Sequence, residues 1–157
     1  MGTINAPRRF RGVKTNEQFL FNCFVSCYGR GIPEPKTGYV SFFVDSGATD
    51  SIIAESDCLK LEIDIENLPK SPRPIGGWGG GCDAYLIEKT ILLLKDENGK
   101  TEEIEYDNIL CACYVNRKKK TKWQAKPLPS VLGINFLMKG YKFNFNPAQN
   151  DVYIEQL

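Results

Sequence analysis

Short runs that alternate between apolar and polar residues cover most of the 157-residue chain and predict a protein made mainly of β-strands. The final two runs, joined by PAQN, are predicted to form a terminal hairpin. Two short helices are predicted at 54–61 and 134–140. The pattern therefore indicates an all-β fold with one or two short helices. The predicted strands are 19–28, 39–44, 83–94, 101–106, 108–115, 128–133, 141–146 and 151–157.

Segments rich in glycine, proline or charge separate these strands. Residues 29–38 are predicted to be a loop, and 116–126 a basic loop. Asn98-Gly99 indicates a tight hairpin turn. The first 17 residues are polar and are predicted to be a flexible arm, so that residues 18–157 form a single domain.

The composition excludes several classes of function. The 20 basic and 19 acidic residues nearly cancel, so no overall field favours nucleic acid or an acidic membrane. The chain has no histidine, which excludes Ser-His and Cys-His nucleophiles and zinc sites that need imidazole. No apolar signal segment or membrane-length run is present, so we expect a cytoplasmic protein.

The six cysteines are interpreted as buried free thiols in a reducing compartment, because none forms a Cys-x-x-Cys pair and several lie inside apolar runs. A zinc site is not expected on this spacing, and no other cofactor or metal is expected. The cysteines are Cys23, Cys27, Cys58, Cys82, Cys111 and Cys113.

Asp45-Ser46-Gly47 follows the apolar run 39–44 directly. Burying a carboxylate at a strand end is costly unless the group is hydrogen-bonded or neutralised. Ser46 offers a hydroxyl donor, and Gly47 allows the backbone to come close without a side chain in the way. Such a triplet is more often an ordinary turn than an active site, but the apolar strand before it and the apolar run 51–53 after it favour function.

Two further motifs follow along the chain. The first, IGGWGGG at 75–81, has too many glycines for the interior of a strand. It is either a linker or the mobile tip of a hairpin whose Trp78 covers a bound substrate. The second, SVLGIN at 130–135, taken alone indicates only a core strand that ends at Gly133.

The order of the three motifs resembles that of the retropepsin family, the single-domain aspartic proteases typified by retroviral proteases. In that family an apolar strand ends in Asp-Ser/Thr-Gly-Ala, a glycine-rich flap follows, and an apolar strand then leads into a short helix. The resemblance covers about residues 18–145 and implies a closed β-barrel of the acid protease fold. Thr49 and Ile134 depart from the retroviral pattern, which has Asp and Arg there, so the viral contacts at the dimer edge cannot be carried over.

The resemblance also implies an aspartic endopeptidase that cleaves peptide substrates and needs no cofactor. The triplet occurs once in the chain, so the second catalytic carboxylate is expected from another copy in a homodimer. The implied catalytic residues are Asp45, Ser46 and Gly47. The implied substrate-binding residues are Ala48, Thr49, Asp50, Ile75, Gly76, Gly77, Trp78, Gly79 and Gly80.

Two other functions stay open at this point. The same fold could serve as a non-catalytic module that binds peptides or dimerises. The basic segment 117–123 could bind nucleic acid, because its cations lie beside Trp123, which could stack on a base. A solvated loop is the simpler interpretation of this segment, so nucleic acid is not an expected partner, and neither is a membrane.

Overall fold

The computed structural model describes residues 6–16, 18–73, 82–114 and 129–157, and for residue 82 and residues 110–114 it describes the backbone only. These residues form ten strands, two short α-helices and two single turns of 3-10 helix, Ile65–Asn67 and Pro147–Gln149. The α-helices are α1 (Glu55–Lys60) and α2 (Ile134–Leu137). The strands are β1 (Arg9–Arg11), β2 (Val13–Thr15), β3 (Gln18–Gly29), β4 (Ile32–Val44), β5 (Ile52–Ala54), β6 (Cys82–Lys95), β7 (Thr101–Tyr114), β8 (Ser130–Leu132), β9 (Tyr141–Asn146) and β10 (Asp151–Gln156).

The strands form two sheets. The larger has the order β2-β3-β4-β8-β5-β7-β6. Its last strand, β6, also pairs with β3. The smaller sheet has the order β1-β10-β9. The all-β prediction is confirmed. None of the helices in the described ranges is long and apolar enough to cross a membrane.

The short strand β8 is inserted between β4 and β5. It runs parallel to β4, with Val44 opposite Leu132, and it contacts β5 in the antiparallel sense, with Ile52 opposite Val131. The chain therefore leaves β4, passes over the end of β8 and enters β5 on the other side. The segment that makes this crossing, residues 45–51, includes the Asp-Ser-Gly triplet.

Alternate side chains of the long strands point into one hydrophobic core. In β3 the buried positions are Phe19, Phe21, Cys23, Val25 and Cys27, as expected for a strand with one face in the core. The thiols of Cys23 and Cys27 are free. Burial raises the pKa of the Cys27 thiol to about 12. Both thiols thus behave as small apolar groups, as predicted for them, and the reducing compartment stays a prediction.

The smaller sheet extends this core to both ends of the chain. Phe10 of β1 is 1% exposed, and its ring packs edge-on against the ring of Tyr141 in β9, with 6.3 Å between the ring centres. Phe136 of α2 is fully buried and stacks on the same tyrosine ring at 4.7 Å. Helix α2, which follows β8 directly, is thereby anchored in the core.

Most of the predicted elements are present in the described residues, but two predictions need correction. Residues 32–38 belong to β4 and are not loop: only Arg30 and Gly31 turn the chain, and Gly31 has a φ of 82°. Pro33 and Pro35 fit into β4 because they lie between Ile32 and Lys36, where the register with β3 shifts and neither proline has a paired residue. Their missing N–H groups therefore cost no hydrogen bond between the two strands. In the predicted flexible arm, residues 9–11 and 13–15 form strands.

An arginine in this N-terminal segment explains part of that order. The Nε of Arg8 donates to Asp96 Oδ2 at 2.9 Å, and a terminal nitrogen donates to Glu102. The Asp96 side chain is only 2% exposed, and its other oxygen accepts the N–H groups of Asn98 and Lys100. The Arg8 guanidinium and these two N–H groups hold the pKa of the Asp96 carboxyl below its usual range.

Arg8→Gln is expected to destabilise the protein at neutral pH, because it leaves a buried carboxylate without its cation. Because the pKa of Asp96 is lowered in the folded protein, its ionised carboxylate stabilises the fold at pH values above the ordinary carboxyl pKa, near 4. This stabilisation is lost as the pH falls through the folded-state pKa. Urea unfolding from pH 7 to pH 2 should therefore show the two proteins converging in acid. Arg30→Gln is the control, since the Arg30 side chain is 78% exposed and its pair with Glu88 should matter little. A constant difference across the pH range would contradict this account.

Candidate active site

Asp45 lies at the carboxyl end of β4, on the segment that crosses β8. Its backbone N–H donates to Leu132 O at 3.0 Å, which extends the pairing of β4 with β8 by one residue. The chain then turns at Ser46 and Gly47, and the Ala48 N–H donates to Asp45 O at 3.1 Å. The carboxylate therefore leaves the sheet at the point where the strand pairing stops.

The Asp45 carboxylate is oriented by its own turn. Gly47 N–H donates to Oδ1 at 2.8 Å, a charge-assisted hydrogen bond when the carboxylate is ionised. The residue is half-buried. Within the described ranges no lysine or arginine forms an ion pair with it, and no donor reaches Oδ2. One oxygen of the carboxylate is thus held in place by the turn.

A second set of hydrogen bonds fixes the rest of the crossing segment, 48–51, to the start of α2. Ile134 N–H donates to Ala48 O at 2.8 Å, and Asn135 N–H donates to Thr49 O at 3.2 Å. Gly133 N–H donates to the Ser51 hydroxyl oxygen at 3.1 Å. Three successive amides of the SVLGIN motif therefore bind the segment that carries the triplet.

Gly133 is required by the closeness of this contact. A Cβ atom at this position would lie 2.5 Å from Asp50 O and 2.6 Å from Ala48 O. Both are backbone atoms, which cannot move aside without displacing the segment. The glycine that ends the predicted core strand is thus part of the support of Asp45.

The remaining predicted site residues divide into two groups. Ser46, Thr49 and Asp50 are exposed and Ala48 is half-buried, so the rim of the site is open to solvent. The six predicted flap residues lie outside the described residues, so the predicted flap stays a prediction; they are Ile75, Gly76, Gly77, Trp78, Gly79 and Gly80. The basic segment 117–123 also lies outside them.

Sequence reasoning did not identify two residues that the structure brings to this site. Ser51 is completely buried, and its hydroxyl oxygen lies 3.2 Å from the hydroxyl oxygen of Tyr106 on β7. The one available signal was a small polar residue directly before the apolar β5. Tyr106 gave no signal, because it lies 55 positions further along the chain.

Gly133→Ala is expected to lower the free energy of unfolding by about 1–3 kcal/mol, because the new methyl group has no space beside two carbonyl oxygens. Chemical denaturation measures this change directly. Gly12→Ala serves as the control. Its new Cβ would lie 3.2 Å from its nearest neighbour, a Phe21 ring atom, so we expect a smaller loss of unfolding free energy. Equal losses in the two variants would show that the close approach at Gly133 is not important.

Comparison with known proteins gives a likeness of fold. No protein-family model matches the chain, and no curated protein matches it. Among solved structures, a retropepsin-like aspartic protease from Rickettsia conorii is 18% identical with a TM-score of 0.48, over 99% of this chain and 96% of that one. EIAV protease, in a complex with the inhibitor HBY-793, is 17% identical with a TM-score of 0.39, over 81% of this chain and 93% of that one.

Proposed function

We propose that the protein is an aspartic endopeptidase that acts as a homodimer, with one Asp45 carboxylate supplied by each copy. The observation that carries this proposal is the placement of Asp45. Its half-buried carboxylate sits on a loop fixed by backbone hydrogen bonds, with one oxygen bound by Gly47 N–H. A catalytic acid or base needs this combination of fixed orientation and solvent access.

One carboxylate is insufficient for the reaction. Peptide hydrolysis without a metal or a covalent nucleophile requires a base that takes a proton from water and an acid that protonates the scissile carbonyl oxygen. Two adjacent carboxyl groups can divide these roles, because like charges at short distance cannot both ionise and the pair shares one proton. The triplet occurs once in the sequence, so a two-fold axis beside Asp45 would supply the second group.

The remaining site residues would have supporting roles in this dimer. The exposed Ser46 would donate a hydrogen bond across the two-fold axis and thereby hold the two loops together. The rim formed by Ala48, Thr49 and Asp50 would contact an extended peptide, since such peptides bind to proteases as an added β-strand. Residues 75–80, with Trp78, would cover the peptide and exclude water.

The reaction would start with water between the two carboxyl groups. The ionised Asp45 removes a proton from this water, whose oxygen attacks the carbonyl carbon, while the protonated Asp45 of the other copy gives its proton to the carbonyl oxygen. The resulting gem-diol intermediate collapses with cleavage of the C–N bond: the carboxyl group that holds the water's proton gives it to the leaving amine, and the other carboxylate takes a proton from a diol hydroxyl as the carbonyl re-forms. The two carboxyl groups then share a single proton again.

Asp45→Asn is expected to abolish cleavage in a peptide-library assay, because an amide cannot serve as the base. An inhibitor of aspartic proteases should block the wild-type protein to the same extent. Asp107→Asn is the control, because Asp107 is an exposed carboxylate on β7 and the variant should cleave normally.

Two results would overturn the proposal. Equal cleavage by the wild-type protein and by Asp45→Asn would exclude the mechanism, as would cleavage that the inhibitor leaves unchanged. Peptide binding without cleavage, unaffected by Asp45→Asn, would favour a non-catalytic peptide-binding module.

A further inference from the structure

The Ser51 hydroxyl is the centre of a buried hydrogen-bond network directly beneath the proposed active site. Its oxygen is 2.6 Å from Asn135 Oδ1, 3.1 Å from Gly133 N and 3.2 Å from the Tyr106 hydroxyl oxygen. Ser51 is 0% exposed and Tyr106 is 3% exposed. Polar groups this deep are costly unless each one has a partner.

The directions of these hydrogen bonds follow from what a hydroxyl can do. Serine has one proton to donate and two lone pairs that accept. The amide oxygen of Asn135 can only accept, so it takes the serine proton. Gly133 N–H can only donate, and it uses one lone pair. Tyr106 must therefore donate to the second lone pair.

Burial keeps Tyr106 in its donor form. Removal from water raises the pKa of the Tyr106 hydroxyl well above its usual range, although its contact with Ser51 acts in the opposite direction. The Lys139 ammonium lies 4.8 Å from the ring centre, and Cys23 and Tyr141 act on the hydroxyl in the same direction as burial. The Tyr106 hydroxyl thus stays protonated wherever the proposed peptidase would act.

The network joins three parts of the fold that are distant in sequence. Ser51 is the last residue of the segment that carries Asp45. Gly133 and Asn135 lie at the start of α2, and Tyr106 lies in the middle of β7. Backbone bonds from Ile134 and Asn135 fix the carbonyl groups of residues 48 and 49 to the same helix start. The side chains of Tyr106 and Asn135 are therefore linked to the triplet through Ser51, without contact with the reacting atoms.

We propose that Ser51, Tyr106 and Asn135 are positioning residues that hold the Asp45 segment in a single geometry for catalysis. This inference rests on the proposed function, since it gives the network a role in peptide cleavage. The two carboxylates of a dimer must approach each other closely, so a small displacement of each segment affects both. Misplacement of a catalytic group by about 1 Å can reduce a rate on the order of 100-fold.

Tyr106→Phe is the sharpest test, because it removes one hydroxyl and keeps the ring in the core. We expect kcat for a cleaved peptide to fall on the order of tenfold with little change in KM, the pattern of an interaction that matters only in the transition state. Tyr141→Phe is the matched control. It deletes another buried tyrosine hydroxyl, one that lies next to Glu102, and it should leave kcat unchanged.

Ser51→Ala extends the test to the centre of the network. It removes the acceptor of the Gly133 amide, so exchange of that amide with solvent, followed by NMR, should be at least about tenfold faster than in the wild type. Exchange of the Ile134 and Asn135 amides should also accelerate in this variant and, to a smaller degree, in Tyr106→Phe.

The two readouts separate the failure of this inference from the failure of the proposed function. If the wild-type protein cleaves no peptide, the proposed function is wrong, and amide exchange at residues 133–135 still tests whether the network positions the segment. If Tyr106→Phe and Tyr141→Phe show the same kcat, and exchange at residues 133–135 follows only overall stability, the network is merely structural and the inference is overturned.

Discussion

Gly133 lies so close beneath the segment that carries Asp45 that no side chain fits between them. This approach is a consequence of topology. Because β8 is inserted between β4 and β5, the chain that joins β4 to β5 has to pass over the end of β8. Its backbone then has no neighbouring strand, and its carbonyl groups at positions 48 and 49 are satisfied by the first amides of α2. The carboxylate is placed by these backbone contacts together with the bond from Gly133 N–H to the Ser51 hydroxyl.

The core supports this arrangement from below. Phe136 fills the space under α2 and stacks on Tyr141, so the helix that fixes the Asp45 segment is itself fixed to the smaller sheet. That sheet is completed by β1, which is attached through buried Phe10 and through the contacts of Arg8 with Asp96 and Glu102. The N-terminal strand therefore contributes to the stability of the element that supports the site, although it lies far from it in sequence.

The strands could be predicted because their apolar positions alternate. The candidate site was predicted from the order of three local motifs, of which the second lies outside the described residues. The sequence did not predict that residues 32–38 are strand, since prolines and glycines indicate a loop unless a pairing irregularity accommodates them. The contact between Tyr106 and Ser51 was also out of reach. It joins residues 55 positions apart, and the sequence around neither residue indicates a contact with the other. Long-range polar contacts depend on how strands pair, which one sequence alone does not specify.

The central claim is that two Asp45 carboxylates from two copies form one active site, and mixed dimers test it most directly. Wild-type protein and Asp45→Asn are allowed to exchange subunits at a fixed total concentration, and peptide cleavage is measured against the wild-type fraction. If both carboxylates are required and subunits pair at random, activity falls with the square of that fraction, to about one quarter in an equal mixture. A linear fall, to about one half, would show that each copy works with its own Asp45 alone and would contradict the account.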